Sequence, residues 1–150
     1  MAKKKEKDNT IATNRKARHD YEIIDSLECG IMLVGSEVQS VKNHKVSLGE
    51  SYARVKDNEV WLINCDIAEY KEARVNHAPK RPRKLLLHRR EIDKFASKAT
   101  VKGYTLVPLK MYFVKGRAKI LLAVCKGKRE YDKRSDLKSR DAKREIRKII

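Results

Sequence analysis

The residues of this 150-residue chain most able to do chemistry are four histidines and three cysteines. Their spacing gives them little to do. His19-Asp20, His44, His77 and His88 are scattered, with no H-E-x-x-H pair, Gly-rich phosphate loop or G-x-S-x-G turn around them. Cys29, Cys65 and Cys125 are odd in number, far apart and free of any C-x-x-C pairing. That pattern argues against a disulfide framework or a zinc site and predicts three reduced thiols in or near the core. Asp132 is hemmed in by basic residues and is better placed for an ion pair than for catalysis. No enzymatic activity, metal or cofactor is expected.

What remains is charge. Lys and Arg number 37 against 20 acids, a formal net charge of +17, which points to a polyanionic partner. The excess is concentrated. Residues 1–19 hold seven basic against two acidic residues, residues 76–90 hold six against none, and residues 126–150 hold eleven against five. Residues 20–75 are net negative. Charge serving solubility alone would be spread more evenly. No apolar run approaches the ~18 residues of a membrane span, and no signal sequence follows the N-terminal lysines, so a cytosolic protein is expected.

The elements that would position these clusters read as follows. MAKKKEKDNT has almost nothing to bury and is expected to be a flexible arm over 1–10. YEIIDSLECGIMLVG reads as a strand or bent pair of strands, with Gly30 marking a bulge or bend. SEVQSVKNHK reads as a short helix capped by Ser36. Two runs around Asp57-Asn58 form a hairpin, in which Tyr52, Arg54 and Lys56 alternate with Ala53 and Val55. Residues 71–84 contain two prolines and read as a loop, and LLLHRREIDKFASKA as an amphipathic helix. TLVPLKMYFV and RAKILLAVC form the clearest hairpin, joined by Lys115-Gly116, with Pro108 predicting an edge or a bulge. The fold class predicted is mainly β: a small antiparallel OB-like β-barrel over 11–126, about three short peripheral helices, and a disordered basic tail over 127–150.

Four motifs occur in order: NRKARHDYEI (14–23), ECGIMLVGSEVQSVK (28–42), RPRKLLLHRREI (81–92) and KGKREYDKRSD (126–136). Together they resemble the bacterial SsrA-binding protein family, also called small protein B, from about residue 11 to the C-terminus. The resemblance implies a barrel that binds the tRNA-like domain of transfer-messenger RNA. It also implies a tail that folds into a helix in the decoding centre and vacant mRNA channel of the small ribosomal subunit. The RNA-facing positions it implies are Glu28, Leu86 and Lys119, with support from Asn14, Arg15, Lys16, Arg83 and Lys84. The tail positions are Lys126, Lys128, Arg129, Tyr131, Asp132, Lys133, Arg134, Lys138, Arg140, Ile149 and Ile150. A monomer is expected. Gln39, Lys42, His44-Lys45 and Cys29 depart from the family pattern.

Each of these residues also has a plainer reading. RPRK could be a solvated loop, although its prolines would hold Arg83 and Lys84 towards phosphates at lower entropic cost. Leu86 could be an ordinary exposed leucine, or an apolar contact for a base or ribose. Glu28 could be a surface carboxylate, could accept from a base edge, or could orient a basic neighbour. In the tail, Asp136–Arg140, Asp141–Arg144 and Glu145–Lys148 are helix-compatible pairs, and Ser135 is a plausible cap. The apolar stripe of Ala142, Ile146, Ile149 and Ile150 is too narrow for a stable isolated helix, so folding on binding is expected. The alternative for the whole chain is a structural ribosomal or rRNA-binding protein.

Overall fold

The computed structural model of the chain describes residues 9–127. Its elements are β1 (Thr10–Thr13), α1 (Arg15–Asp20), β2 (Tyr21–Ile31), α2 (Gly35–Lys42), β3 (Val46–Ser47), β4 (Tyr52–Lys56), β5 (Glu59–Ile63), β6 (Asp66–Ile67), β7 (Arg83–Leu86), α3 (Arg89–Ala99), β8 (Tyr104–Val114) and β9 (Arg117–Gly127). Seven strands run in the order β1-β8-β4-β5-β7-β2-β9, and β8 also pairs with β9, so the antiparallel sheet closes into a ring with β1 added to β8. β3 and β6 form a separate two-stranded pair. Closure leaves few edge groups unpaired, which suits a chain with a modest apolar content.

Both predicted hairpins form. Asp57 (φ 53°) and Asn58 (φ 59°) make the two-residue turn between β4 and β5, and Lys115 (φ 49°) and Gly116 (φ 77°) make the one between β8 and β9. Two positive φ values in a two-residue loop match the right-handed twist of the flanking strands. Inward residues alternate with outward ones, so Val60, Leu62, Leu85, Met111, Ile120 and Leu122 fill the core. α2 and α3 add Val41 and Phe95 to that core. On the opposite side of β8 and β9, Ala17 of α1 packs with Val107, Leu109, Ala123 and Cys125. All three thiols are buried.

The sequence-based boundaries need four corrections. The helix expected over 85–99 begins only at Arg89, because Leu85 and Leu86 belong to β7. Three consecutive leucines carry no period, and here pairing decides. β7 joins β5 to β2 through Leu85↔Val60 and Leu85↔Ile31, and without it the ring would be open. Of the bulge or bend expected at Gly30, the bulge is absent, since Gly30 pairs in register with Leu86 and Lys119; the register shift in β2 lies between Ile23 and Asp25. The bulge expected at Pro108 is present, between Pro108 and Lys110. Ser36 does not cap α2: Val34 holds that position, with Glu37 accepting from its N–H, and Ser36 Oγ bonds His77 Nδ1 at 2.8 Å instead. Finally, Lys126, assigned to the tail, lies in β9 opposite Glu22 and Tyr104. The other tail positions, Lys128 to Ile150, lie outside the described residues.

Candidate nucleic-acid interface

Strand register places Glu28, Leu86 and Lys119 on one outer face. Gly30 is the centre, facing Leu86 on β7 and Lys119 on β9, while Tyr112 on β8 faces Lys119 from the other side. A row Leu86–Gly30–Lys119–Tyr112 therefore crosses four strands. Glu28 sits in the next row, opposite Leu121, which is opposite Lys110. A Cβ on Gly30 would lie 3.2 Å from Leu86 Cβ, so glycine here permits close strand approach and leaves a notch. The notch opens into a cleft of about 280 Å³ lined by Leu33, Leu86, Phe113, Arg117 and Lys119. Leu86 is 48% exposed at its rim.

The acid on this basic face has a defined partner. Tyr112 Oη donates to Glu28 Oε2 at 2.5 Å. Burial, and then that carboxylate, push the Tyr112 phenol well above its ordinary range, so it stays a donor at neutral pH. Lys110 Nζ lies 5.1 Å from the centre of the Tyr112 ring. The arrangement fixes a flat aromatic and two lysines on rigid strands beside an apolar notch. It can pair phosphates with Lys110 and Lys119 and offer Leu86 to a base or ribose.

Two expected RNA contacts are not on the surface. Arg83 is fully buried: Nε donates to Glu37 Oε2 at 2.5 Å, Nη1 to the Cys65 carbonyl at 2.6 Å and Nη2 to the Pro79 carbonyl at 3.0 Å. Arg81 Nη2 shares the same carboxylate at 2.5 Å. Strand alternation turns Arg83 inward with Leu85, and the buried Glu37 of α2 receives it. Arg83 therefore clamps the loop before β7 instead of reaching for phosphate. Asn14 is also buried, capping α1 through Ala17 N–H and donating to the Leu48 and Pro108 carbonyls. Arg15 and Lys16 are exposed on α1, where Lys16 Nζ is 3.0 Å from Glu50. Lys84 points outward from β7, 3.0 Å from Glu59.

Comparison with known proteins places this architecture. The family described as SmpB protein matches over residues 11–150. The chain belongs to the SmpB protein family. The SsrA-binding protein of Thermobifida fusca is 51% identical over 156 residues, spanning 100% of this chain and 98% of the relative. That of Nitrobacter hamburgensis is 53% identical over 153 residues, with the same coverage. A solved structure described as "tmRNA-SmpB: a journey to the center of the bacterial ribosome" superposes with a TM-score of 0.68 at 48% identity, covering 79% of this chain and 85% of that chain.

Within this SmpB family member, Tyr112, Lys110 and Gly30 complete a face that motif reading had only partly assembled. The signal for Tyr112 was present. A two-residue turn at Lys115-Gly116 sets the register so that Tyr112 must oppose Lys119. No such signal separated Arg83 from Lys84, because the strand carrying them was hidden in an apparent loop. Among the described residues no helix is long and apolar enough to cross a membrane.

Proposed function

We propose that this chain is a non-enzymatic RNA-binding factor. It holds the tRNA-like domain of transfer-messenger RNA on the Gly30-centred face and delivers that RNA to stalled ribosomes in the cytoplasm. The observation that carries the reading is the convergence of Glu28, Leu86 and Lys119 from three strands around one glycine, in a chain whose relatives are SsrA-binding proteins. Arg15 and Lys16 supply further exposed cations, and the half-buried Lys84 a third. Residues 128–150 then enter the small-subunit decoding centre and mRNA channel, where Lys128, Arg129, Lys133, Arg134, Lys138 and Arg140 replace counterions along rRNA and Tyr131 stacks on a base. Asp132 pairs with its basic neighbours, and Ile149 and Ile150 anchor the end. An occupied channel excludes this segment physically, which selects stalled ribosomes without any chemistry.

Truncation after Gly127, where β9 ends, tests the division of labour. Binding to transfer-messenger RNA should persist while tagging on stalled ribosomes fails. Loss of both activities, or of neither, would overturn it.

A further inference from the structure

The single tryptophan of the chain is on the outside of the sheet. Strand alternation on β5 sends Val60 and Leu62 inward and leaves Trp61 half-buried on the outer face. Arg54 on β4 lies directly opposite it on one side, and Lys84 on β7 directly opposite on the other. An indole flanked across both neighbouring strands by cations is a platform for a stacked base with its phosphates to either side. A cleft of about 400 Å³ accompanies it, lined by Trp61, Arg54, Lys56, Ile63 and Pro82.

Two carboxylates share the cleft, Asp57 and Glu59. Glu59 is paired with Lys84 at 3.0 Å, and Asp57 stands at the exposed hairpin tip. Arg54 and Lys56 are exposed and form no ion pair among the described residues. The surroundings of the ring therefore favour an anion.

β7 connects this cleft to the Gly30 face. Lys84 and Leu86 both point outward from it, two residues and about 6.6 Å apart along the strand. Trp61 is one strand spacing, ~4.8 Å, further across. We propose that Trp61 stacks an unpaired base of the same RNA that occupies the Gly30 notch, with Arg54 and Lys56 holding its phosphates. The RNA footprint thus continues from Lys119 and Leu86 across Lys84 to the β4–β5 hairpin. This inference rests on the transfer-messenger RNA reading above.

Because Trp61 is the only tryptophan, its emission in the full-length chain reports this site alone. The tRNA-like domain of transfer-messenger RNA is titrated in while binding is followed separately with labelled RNA. Quenching of Trp61 should track occupancy. Trp61→Ala should weaken binding about tenfold and Trp61→Phe much less. Arg54→Glu keeps the indole and the strand in place; it should weaken binding and lose the quenching at matched RNA concentration, with an unchanged melting curve. If the RNA binds and depends on Leu86, yet Trp61 emission is unmoved and Trp61→Ala binds normally, this inference is wrong while the proposed function stands. Quenching seen only with small ribosomal subunits would also overturn it. If the RNA fails to bind at all, the proposed function falls and takes this inference with it.

Discussion

Tyr112 reaches over the full width of β9 to donate its phenol to Glu28 at 2.5 Å, and Lys119 lies on the strand between them. Glu28 is thereby a holder of the aromatic ring on a positively charged face. If the pair acts as a unit, Tyr112→Phe and Glu28→Ala should each weaken RNA binding several-fold, and the double variant should be little worse than either single one. Direct base reading by Glu28 predicts the opposite for Tyr112→Phe, which would then bind almost normally. Equilibrium binding of labelled RNA to the three variants decides between these.

Lys119 and Arg83 should differ in the salt dependence of RNA binding. Each phosphate neutralised by a surface cation contributes close to one unit to the slope of log affinity against log salt. Lys119→Ala should lower that slope by about 1 while leaving thermal stability nearly unchanged. Arg83 is sealed inside, so Arg83→Ala should leave the slope of any folded fraction intact and instead destabilise by ~3 kcal/mol, because the buried Glu37 loses its fully buried partner and keeps only the partly exposed Arg81. Affinities at several salt concentrations, beside urea denaturation curves, separate the two outcomes.

The contrast shows how far sequence reasoning reaches in this chain. Hairpins with two-residue turns were legible because turn chemistry and period-two alternation are local, and from them Lys119 could be placed outward from Ile120. Arg83 was misread because its fate depends on Glu37, 46 positions away, and on a strand formed only when β5 and β2 accept it between them. Leu86 was expected to be exposed on a helix; it is exposed because it alternates with Leu85 on a strand. Tertiary pairing outweighed local pattern at both residues.

The three thiols should be silent in the folded protein. Burial pushes Cys29 and Cys65 up to about 12 and Cys125 up to about 11. Thiolate, the reactive form, is thus scarce as well as inaccessible. A thiol-reactive chromophore at mildly alkaline pH should label none of them quickly in native buffer and all three in guanidinium. Slow native labelling should begin at Cys125, two residues from the end of β9, where local fraying is cheapest. Rapid labelling of Cys29 or Cys65 would mean that the ring opens far more easily than its pairing implies.

Glu37 sets the acid limit of the fold. Burial alone would raise its carboxyl, but donors from Arg81, the Val34 N–H and Arg83 outweigh that and hold it below its ordinary value of 4.5. A depressed folded value means that the unfolded chain binds the proton more readily. The stabilisation is therefore complete above about pH 4.5 and is lost as pH falls through the lower folded value. Asp25 acts in the same direction through Lys98 at 2.6 Å and the Ser26 N–H, but its carboxylate is 34% exposed and contributes less. Denaturation midpoints measured from neutral pH down to about pH 3 should fall steeply for the natural sequence. Glu37→Gln should start ~3 kcal/mol lower at neutral pH, with the buried Arg83 left without its counter-charge while Arg81 turns to solvent, and then decline less steeply. Asp25→Asn should alter the same limb only slightly. An acid limb that is as steep in Glu37→Gln as in the natural protein would remove Glu37 as its cause.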